Sequence, residues 1–168
     1  MVNNMKAFIK GFGYAFKGIL YGIVHERNFR FHMSIFVYMM FFLLHYDFFE
    51  VSRTQFAILL MMSSLVMGSE LLNSGVENAC NSVTLEHNEF IKIAKDTASG
   101  GVLVVSVFAV AVGIVILYQP AAFSLMFAYF LSNPAYIAVL GLTLVADIIF
   151  VLAGPQNIYN FLRGKKND

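Results

Sequence analysis

Long apolar runs separated by short polar segments dominate the chain. Four of the runs approach the ~20 residues that a helix needs to cross a ~30 Å hydrocarbon core, and they cover about residues 31–46, 54–74, 98–118 and 134–153. None shows a period of two, and backbone groups in a bilayer must be satisfied within their own segment, so we expect helices. The run at 121–131 is too short to cross and predicts an interfacial helix or a re-entrant segment.

An amphipathic segment, residues 5–24, precedes the first apolar run. On a helical wheel Lys6, Lys10 and Lys17 fall within about 40° of one another. The opposite side collects apolar residues, namely Phe8, Phe12, Phe16, Ile19 and Ile23. Lysines facing aromatic residues across a helix are typical of a helix that lies in the membrane interface. The alternative is a helix that packs on a partner protein.

The composition places the chain in the membrane class. Of the 168 residues, 59% are hydrophobic and 12% are charged, and the mean hydropathy is +0.72. Soluble domains average about half apolar and a quarter charged. The net charge of +1 argues against nucleic acid as a partner. The single cysteine, Cys80, excludes an intramolecular disulfide and a multi-cysteine metal site.

Basic residues predict the orientation of the chain in the membrane. Ten of the eleven lysines and arginines fall in segments on one side of the four predicted spans, and Arg53 is the exception. The positive-inside rule makes that side cytoplasmic, so both termini are expected in the cytoplasm. We expect no cleavable signal peptide, because the first apolar run starts far into the chain and no small-residue cleavage site follows it.

A polar stripe interrupts the second apolar run at its cytoplasmic end. Glu70, Asn73 and Glu77 are spaced i, i+3 and i+7, and Asn81 continues the stripe at i+11. On a helix this spacing gives one face, with the two carboxylates ~10 Å apart along the axis. Ionised groups at this depth are costly in lipid, so the stripe is expected to face a bundle interior or a hydrated cleft.

Other polar residues are expected at the same membrane level. Glu26 precedes the first span, and Lys95 and Asp96 precede the third, where small residues allow close backbone approach. Carboxylates without histidine or thiolate partners favour a hard cation such as Mg²⁺, a lysine suits phosphate, and a carboxylate in an apolar setting can act as a general base. Such a set fits phosphoryl transfer. An ion-pair network, or a proton or ion path, fits equally well.

Three blocks of the sequence then resemble one family. ERNFR (26–30), SELLNSGVEN (69–78) and AKDTASGGVL (94–103) are similar, in order and spacing, to the prokaryotic diacylglycerol kinase family. The resemblance covers about residues 5–118. It implies an all-α integral membrane enzyme with a surface helix and three spans, here with an added fourth span. It also implies a homotrimer in the bacterial cytoplasmic membrane that moves the γ-phosphate of MgATP to a lipid alcohol.

The resemblance also implies roles for individual residues. Glu70 is similar to the catalytic base, with Asn73 as its neighbour, and Glu26 and Glu77 are similar to the Mg²⁺ ligands. Lys95, Asp96 and Asn81 correspond to nucleotide contacts. The site would be shared between neighbouring subunits. The residues around ERNFR and AKDTASGG look more like undecaprenol kinases than diacylglycerol kinases, so undecaprenol is the expected acceptor and diacylglycerol the alternative.

Some positions depart from the family pattern. Gly75 stands where the family usually has Ala, and Asn81 where it has Asp, which keeps a hydrogen-bonding group but loses a charge. The segment from His87 to Lys95 is one residue longer than usual. These departures are expected to alter the affinity for ATP rather than the reaction. The scattered histidines, His25, His32, His45 and His87, predict no zinc site.

Residues 119–168 have no counterpart in the three-span core. Asp147 lies inside the predicted fourth span, and we interpret it as a protonated or hydrogen-bonded acid that holds the added helix to the bundle. Two further functions stay open. One is a small transporter or ion-path subunit that uses Asp147 and Glu70, although no inverted repeat is visible. The other is a catalytically silent scaffold.

Overall fold

The computed structural model describes residues 2–83 and 88–164, and throughout these residues the regular structure is helical. The six helices are α1 (Val2–His25), α2 (Arg27–His45), α3 (Arg53–Val83), α4 (Glu89–Leu117), α5 (Pro120–Ser132) and α6 (Pro134–Leu162). This confirms the predicted all-α class. His87, with the start of the predicted longer loop at 87–95, and the terminal Lys165 and Lys166 lie outside the described residues.

Among the described residues, three helices are long and apolar enough to cross a membrane, namely α3, α4 and α6. They correspond to the second, third and fourth predicted spans, and they support a membrane protein. Helix α2 covers the predicted first span but is not among them, because Arg27, Arg30 and His32 lower the hydropathy of its first half. The assignment of residues 31–46 as a span therefore stays a prediction.

Helix α3 is longer than a membrane crossing requires. Its 31 residues extend about 46 Å at 1.5 Å per residue, against a hydrocarbon core of ~30 Å. The surplus at its C-terminal end carries the polar stripe from Glu70 to Asn81. One helix can therefore present its first half to an apolar environment and its last turns to a polar one.

The amphipathic segment forms helix α1 as predicted, although its position at a membrane surface stays a prediction. Phe8, Phe12 and Phe16 are more than half exposed within a single copy of the chain, so this face is free to contact lipid. The C-terminal end of α1 packs against α2, α3 and α6. At Gly22 an added Cβ would lie 2.6 Å from the Leu71 side chain and 3.2 Å from the Phe29 ring, so glycine permits this close approach.

The helices pack in a chain of neighbours. Helix α4 packs along α3, α2 packs against both α3 and α6, and α6 also contacts α1 and α5. Only 6% of the most apolar window of α4, and the same share in α6, is buried within one copy. Side chains that stay this exposed and apolar require lipid or further protein around them.

Residues 121–131 lie in the short helix α5, and its placement as an interfacial helix or a re-entrant segment stays a prediction. It packs through Tyr129 and Phe130 onto the aromatic rings of Tyr46 and Phe48, which follow the end of α2. The side chain of Gln119 accepts a hydrogen bond from the backbone N–H of Glu50 and donates one to its carbonyl, both at 3.0 Å. The added C-terminal segment is thereby tied to the α2–α3 connection.

A polar contact joins α6 to α2 within the apolar region. The Ser34 hydroxyl donates a hydrogen bond of 2.6 Å to Oδ1 of Asp147. Ser34 is buried and Asp147 is half-buried. This agrees with the interpretation of Asp147 as a hydrogen-bonded acid that holds the added helix to the bundle, because a buried carboxyl group in an apolar setting requires a partner.

Candidate active site

The buried end of the polar stripe opens into a pocket between α2, α3 and α4. Its volume is about 380 Å³, and α3 contributes Glu70 and Asn73 to its wall. Glu70 is only 4% exposed, whereas Asn73 is half-buried. The i, i+3 spacing brings both side chains to the same face of α3. The sequence-predicted base and its neighbour are therefore adjacent in a cavity.

Helix α2 contributes His32 to the polar side of this pocket, a residue to which the sequence assigned no role. Nε2 of His32 lies 3.6 Å from Oε1 of Glu70. The distance is too long for a hydrogen bond but short enough for an ion pair when the imidazole is protonated. A signal was present in the sequence, since Asn28, Phe31 and His32 follow the i, i+3, i+4 spacing of one helix face and all three line the pocket.

A second cavity of about 360 Å³ adjoins the first and is almost entirely apolar. Phe31, His32 and Ser106 line both cavities, and the second extends along α2, α3 and α4 as far as Leu59 and Leu117. Among the buried side-chain polar atoms of the described residues, the Ser106 hydroxyl oxygen alone lacks a hydrogen-bond partner. Glu70 therefore lies where an apolar groove meets a polar pocket, an arrangement suited to a molecule with a hydrocarbon body and a polar end.

The two carboxylates expected to hold Mg²⁺ lie outside this pocket lining. Glu26 occupies the extended residue between α1 and α2, with φ −100° and ψ 108°, and is half-buried. Glu77 is exposed on α3, about 10 Å along the axis from Glu70. Within residues 2–83 and 88–164, no three His, Cys, Asp or Glu side chains form a metal-binding group.

The donor set nevertheless fits a magnesium ion that arrives with a nucleotide. Neither Glu26 nor Glu77 forms a salt bridge within the described part of the chain. Mg²⁺ commonly takes one or two protein carboxylates and completes its shell with water and substrate phosphates. Two carboxylates without a salt-bridge partner among the described residues meet that requirement, and these residues form no closed all-protein cage.

The residues expected at the nucleotide lie further along the exposed end of α3 and α4. Nζ of Lys95 donates a hydrogen bond of 2.6 Å to Oδ1 of Asn81. This contact crosses from α4 to α3 and uses the amide that replaces the usual aspartate. Asp96 is exposed on the next position of α4. The side chain of Asn88 accepts hydrogen bonds from the backbone N–H groups of Phe90 and Ile91, which caps the N-terminus of α4 just before these residues.

The structure thus brings four of the predicted residues into two groups and leaves three outside both. Glu70 and Asn73 lie together in the pocket with His32, and Lys95 and Asn81 form a pair at the exposed end. Between the start of the stripe and Asn81 the helix rises about 16 Å. Glu26, Glu77 and Asp96 are not joined to either group by a described side-chain contact.

Comparison with known proteins agrees with the resemblance of the three sequence blocks. The family model described as prokaryotic diacylglycerol kinase matches residues 13–117. A diacylglycerol kinase of Synechocystis is 38% identical over 112 residues, which is 65% of this chain and 61% of that protein. An undecaprenol kinase of Bacillus subtilis is 31% identical over 116 residues, 68% of this chain and 90% of that protein.

The matches cover different shares of the two relatives and only part of this chain. The match spans less than two thirds of the Synechocystis protein but most of the Bacillus one. The family model ends at Leu117, where α4 ends, so helices α5 and α6 lie beyond it. It includes the end of α1 and all of α2, α3 and α4, and with them every residue of the candidate site. The chain therefore belongs to the prokaryotic diacylglycerol kinase family.

Proposed function

We propose that this protein is a membrane lipid kinase that transfers the γ-phosphate of ATP to the hydroxyl group of a lipid alcohol. Family membership supports the reaction class. The observation that carries the proposal is the position of Glu70, a buried carboxylate at the junction of an apolar groove and a polar pocket. A water-soluble acceptor would need no apolar groove, and an ion path would not require the groove to open into the pocket that contains Glu70.

In the proposed reaction the lipid hydroxyl oxygen attacks the γ-phosphorus of ATP. A bond forms between these two atoms, the bond from the γ-phosphorus to the bridging oxygen breaks, and ADP leaves. The hydroxyl proton passes to the carboxylate of Glu70, which acts as general base. Asn73 would orient the reacting groups through its amide, and His32 would hold the Glu70 carboxylate from the side of α2.

We assign the nucleotide to the exposed end of the site. Lys95, aligned by Asn81, would contact the phosphates as a cation, and Asp96 would lie beside it. Glu26 and Glu77 are the carboxylates that would hold Mg²⁺. When bound, Mg²⁺ supplies positive charge that balances the phosphate oxygens. The apolar groove extends from the pocket towards Leu59 on α3, whereas Lys95 and Asn81 lie at the other, exposed end of the polar stripe, and this separation supports the division.

We propose undecaprenol as the acceptor, giving undecaprenyl phosphate. The sequence around ERNFR and AKDTASGG supports this choice, together with the relative from Bacillus subtilis that is named undecaprenol kinase. Diacylglycerol, giving phosphatidic acid, is the second candidate, because the relative from Synechocystis is named diacylglycerol kinase and has the higher identity. Both acceptors present one free hydroxyl group on an apolar body.

We also propose a homotrimer in the bacterial cytoplasmic membrane, with both termini in the cytoplasm. The distribution of basic residues supports the orientation. The exposed apolar faces of α3 and α4 leave room for further copies of the chain beside the lipid. Chemical cross-linking of the purified protein in mild detergent, followed by denaturing electrophoresis, tests this assembly: a ladder that ends at three subunits supports it, and one that ends at one or two contradicts it.

The reaction is tested by transfer of radiolabelled γ-phosphate in mixed micelles, with undecaprenol and diacylglycerol offered in parallel. Glu70→Gln keeps the shape of the side chain but removes the base, so label transfer is expected to fall by roughly 10²–10⁴-fold. The matched control is Glu50→Gln, an exposed carboxylate far from the pocket. Wild-type turnover by Glu70→Gln would overturn the assigned base, and absence of label in either lipid from folded wild-type protein would overturn the kinase.

A further inference from the structure

Helix α6, which lies beyond the family match, is broken near its end. Gly154 has φ 74° and ψ 159°, and Pro155 follows it. In an unbroken helix the N–H of residue 155 would donate to the carbonyl of Val151, but proline has no N–H. The break therefore leaves the Val151 carbonyl available. The neighbouring carbonyl of Ala153 accepts a hydrogen bond of 2.8 Å from the side chain of Asn157.

The available carbonyl is filled by Arg30 of the ERNFR block. Nε and Nη2 of Arg30 donate to the Val151 carbonyl at 3.2 and 3.0 Å. Its Nη1 donates at 3.1 and 3.0 Å to the carbonyls of Ile23 and Val24, in the last turn of α1. One side chain on α2 thus joins α1 to α6. We call this set of contacts the Arg30 clamp.

The geometry of the clamp is specific to the residues present. Arg30 is only 4% exposed, and a buried guanidinium group is tolerated where backbone carbonyls and the negative end of a helix surround it. At Gly154 an added Cβ would lie 3.1 Å from Cζ of Arg30, and the positive φ would strain any side chain. Lysine could not replace the planar fork that reaches both helices.

The contacts of the clamp lie on either side of the corner between α1 and α2, which is formed by Glu26. Ile23 and Val24 precede this residue, and the backbone N–H of Arg30 donates to the Glu26 carbonyl at 3.2 Å. Glu26 itself is the extended residue between α1 and α2 and makes no side-chain cap. Because Arg30 on α2 binds the last turn of α1, it restricts the backbone conformation of the corner at Glu26.

From these contacts we propose that α6 acts through the Arg30 clamp to position the corner between α1 and α2, where Glu26 lies. Arg30, Gly154 and Pro155 are positioning residues, and Glu26 is the group they orient. The inference rests on the proposed function, in which Glu26 holds Mg²⁺. It gives the C-terminal segment a role in catalysis that the family core does not include.

The contacts of the clamp with α6 can be removed without a substitution in the family-matched residues 13–117. The double variant Gly154→Ala with Pro155→Ala allows α6 to continue as a helix, so that the N–H of residue 155 takes back the Val151 carbonyl. The Mg²⁺ concentration for half-maximal label transfer is expected to rise roughly tenfold, as when a group that orients a metal ligand is lost. The maximal rate at saturating Mg²⁺ should change far less. Gly141→Ala is the matched control, because an added Cβ there meets open space on the same helix.

Arg30 variants test the other side of the clamp. Arg30→Lys keeps the charge, so its Mg²⁺ requirement should lie between those of the wild-type protein and the double variant. Arg30→Met should require more Mg²⁺ than the double variant. Limited trypsin digestion after the exposed Arg27 measures how firmly the corner at Glu26 is held, independently of activity. Digestion should be faster in the double variant than in Gly141→Ala. Faster digestion with an unchanged Mg²⁺ requirement would reduce the clamp to a structural contact and overturn the proposal.

Unchanged digestion in the double variant would overturn the proposal as well, since α6 would then not hold the corner. Wild-type protein that transfers no label to any lipid would instead remove the proposed function. In that case the digestion rates still show whether α6 holds the corner, so that the two failures are distinguishable.

Discussion

Gly22 offers a test of the close packing of α1 on α2 and α3. Replacement by alanine adds one methyl group to a helix, which by propensity alone stabilises the folded state by roughly 1 kcal/mol. At this position the added carbon would lie 2.6 Å from Cδ2 of Leu71 and 3.2 Å from the Phe29 ring. Leu71 is the neighbour of Glu70 on α3, so the contact borders the candidate site.

The two neighbours differ in how easily they move. The Leu71 atom is the end of a flexible side chain and can rotate away at little cost, but the Phe29 ring is buried, with 4% exposure. Overpacking of this kind costs about 1–3 kcal/mol. The cost exceeds the gain in propensity, so Gly22→Ala should lower the free energy of unfolding by up to about 2 kcal/mol.

Gly18→Ala is the matched control, because an added Cβ at this position of α1 meets nothing within 4 Å. It should leave stability unchanged or raise it. Thermal unfolding of both variants in the same detergent measures the difference, with about 2–4 °C expected per kcal/mol for a chain of this size. A Gly22→Ala protein that melts at or above the Gly18→Ala protein would refute the close packing of α1 on α2 and α3.

Two further predictions concern the added helix and the nucleotide end. Asp147→Leu should lower the free energy of unfolding by about 1 kcal/mol through loss of the Ser34 hydrogen bond, whereas Asp147→Asn keeps an acceptor; equal melting temperatures for the two variants would contradict this. Lys95→Met should raise the KM for ATP by roughly tenfold or more, through loss of a charged donor, with little effect on the KM for the lipid. Lys92→Met, an exposed neighbour on α4, is its control, and equal KM values for ATP in the two variants would remove Lys95 from the nucleotide site.

The sequence was most informative where periodicity and chemistry agreed. The i, i+3 spacing of Glu70 and Asn73 predicted that both lie on one face, and the structure brings them together in a pocket. The amphipathic pattern predicted helix α1. By contrast, the first predicted span was read from its apolar residues alone, although α2 begins four residues earlier with two arginines in its first turn.

Contacts between distant segments could not be read from the sequence. The spacing of Asn28, Phe31 and His32 indicates one face of α2, but it does not indicate Glu70 as a neighbour. The two residues are 38 positions apart, and only the packing of α2 on α3 brings their side chains within 3.6 Å. Lys95 and Asn81 are a similar case across α3 and α4. Sequence spacing defines which residues share a helix face, but it does not define which face meets which.

Hydropathy, local periodicity and short ordered motifs in the sequence were sufficient for the membrane class, the helical form of the apolar runs and the family. The contact by which Arg30 joins the end of α1 to the break in α6, 121 residues away, could be known only from the folded chain. The physical reason is that a buried guanidinium group binds whichever carbonyls the packing leaves without a donor. Those carbonyls are backbone atoms, identical in every residue type, so no sequence pattern distinguishes them before the helices meet.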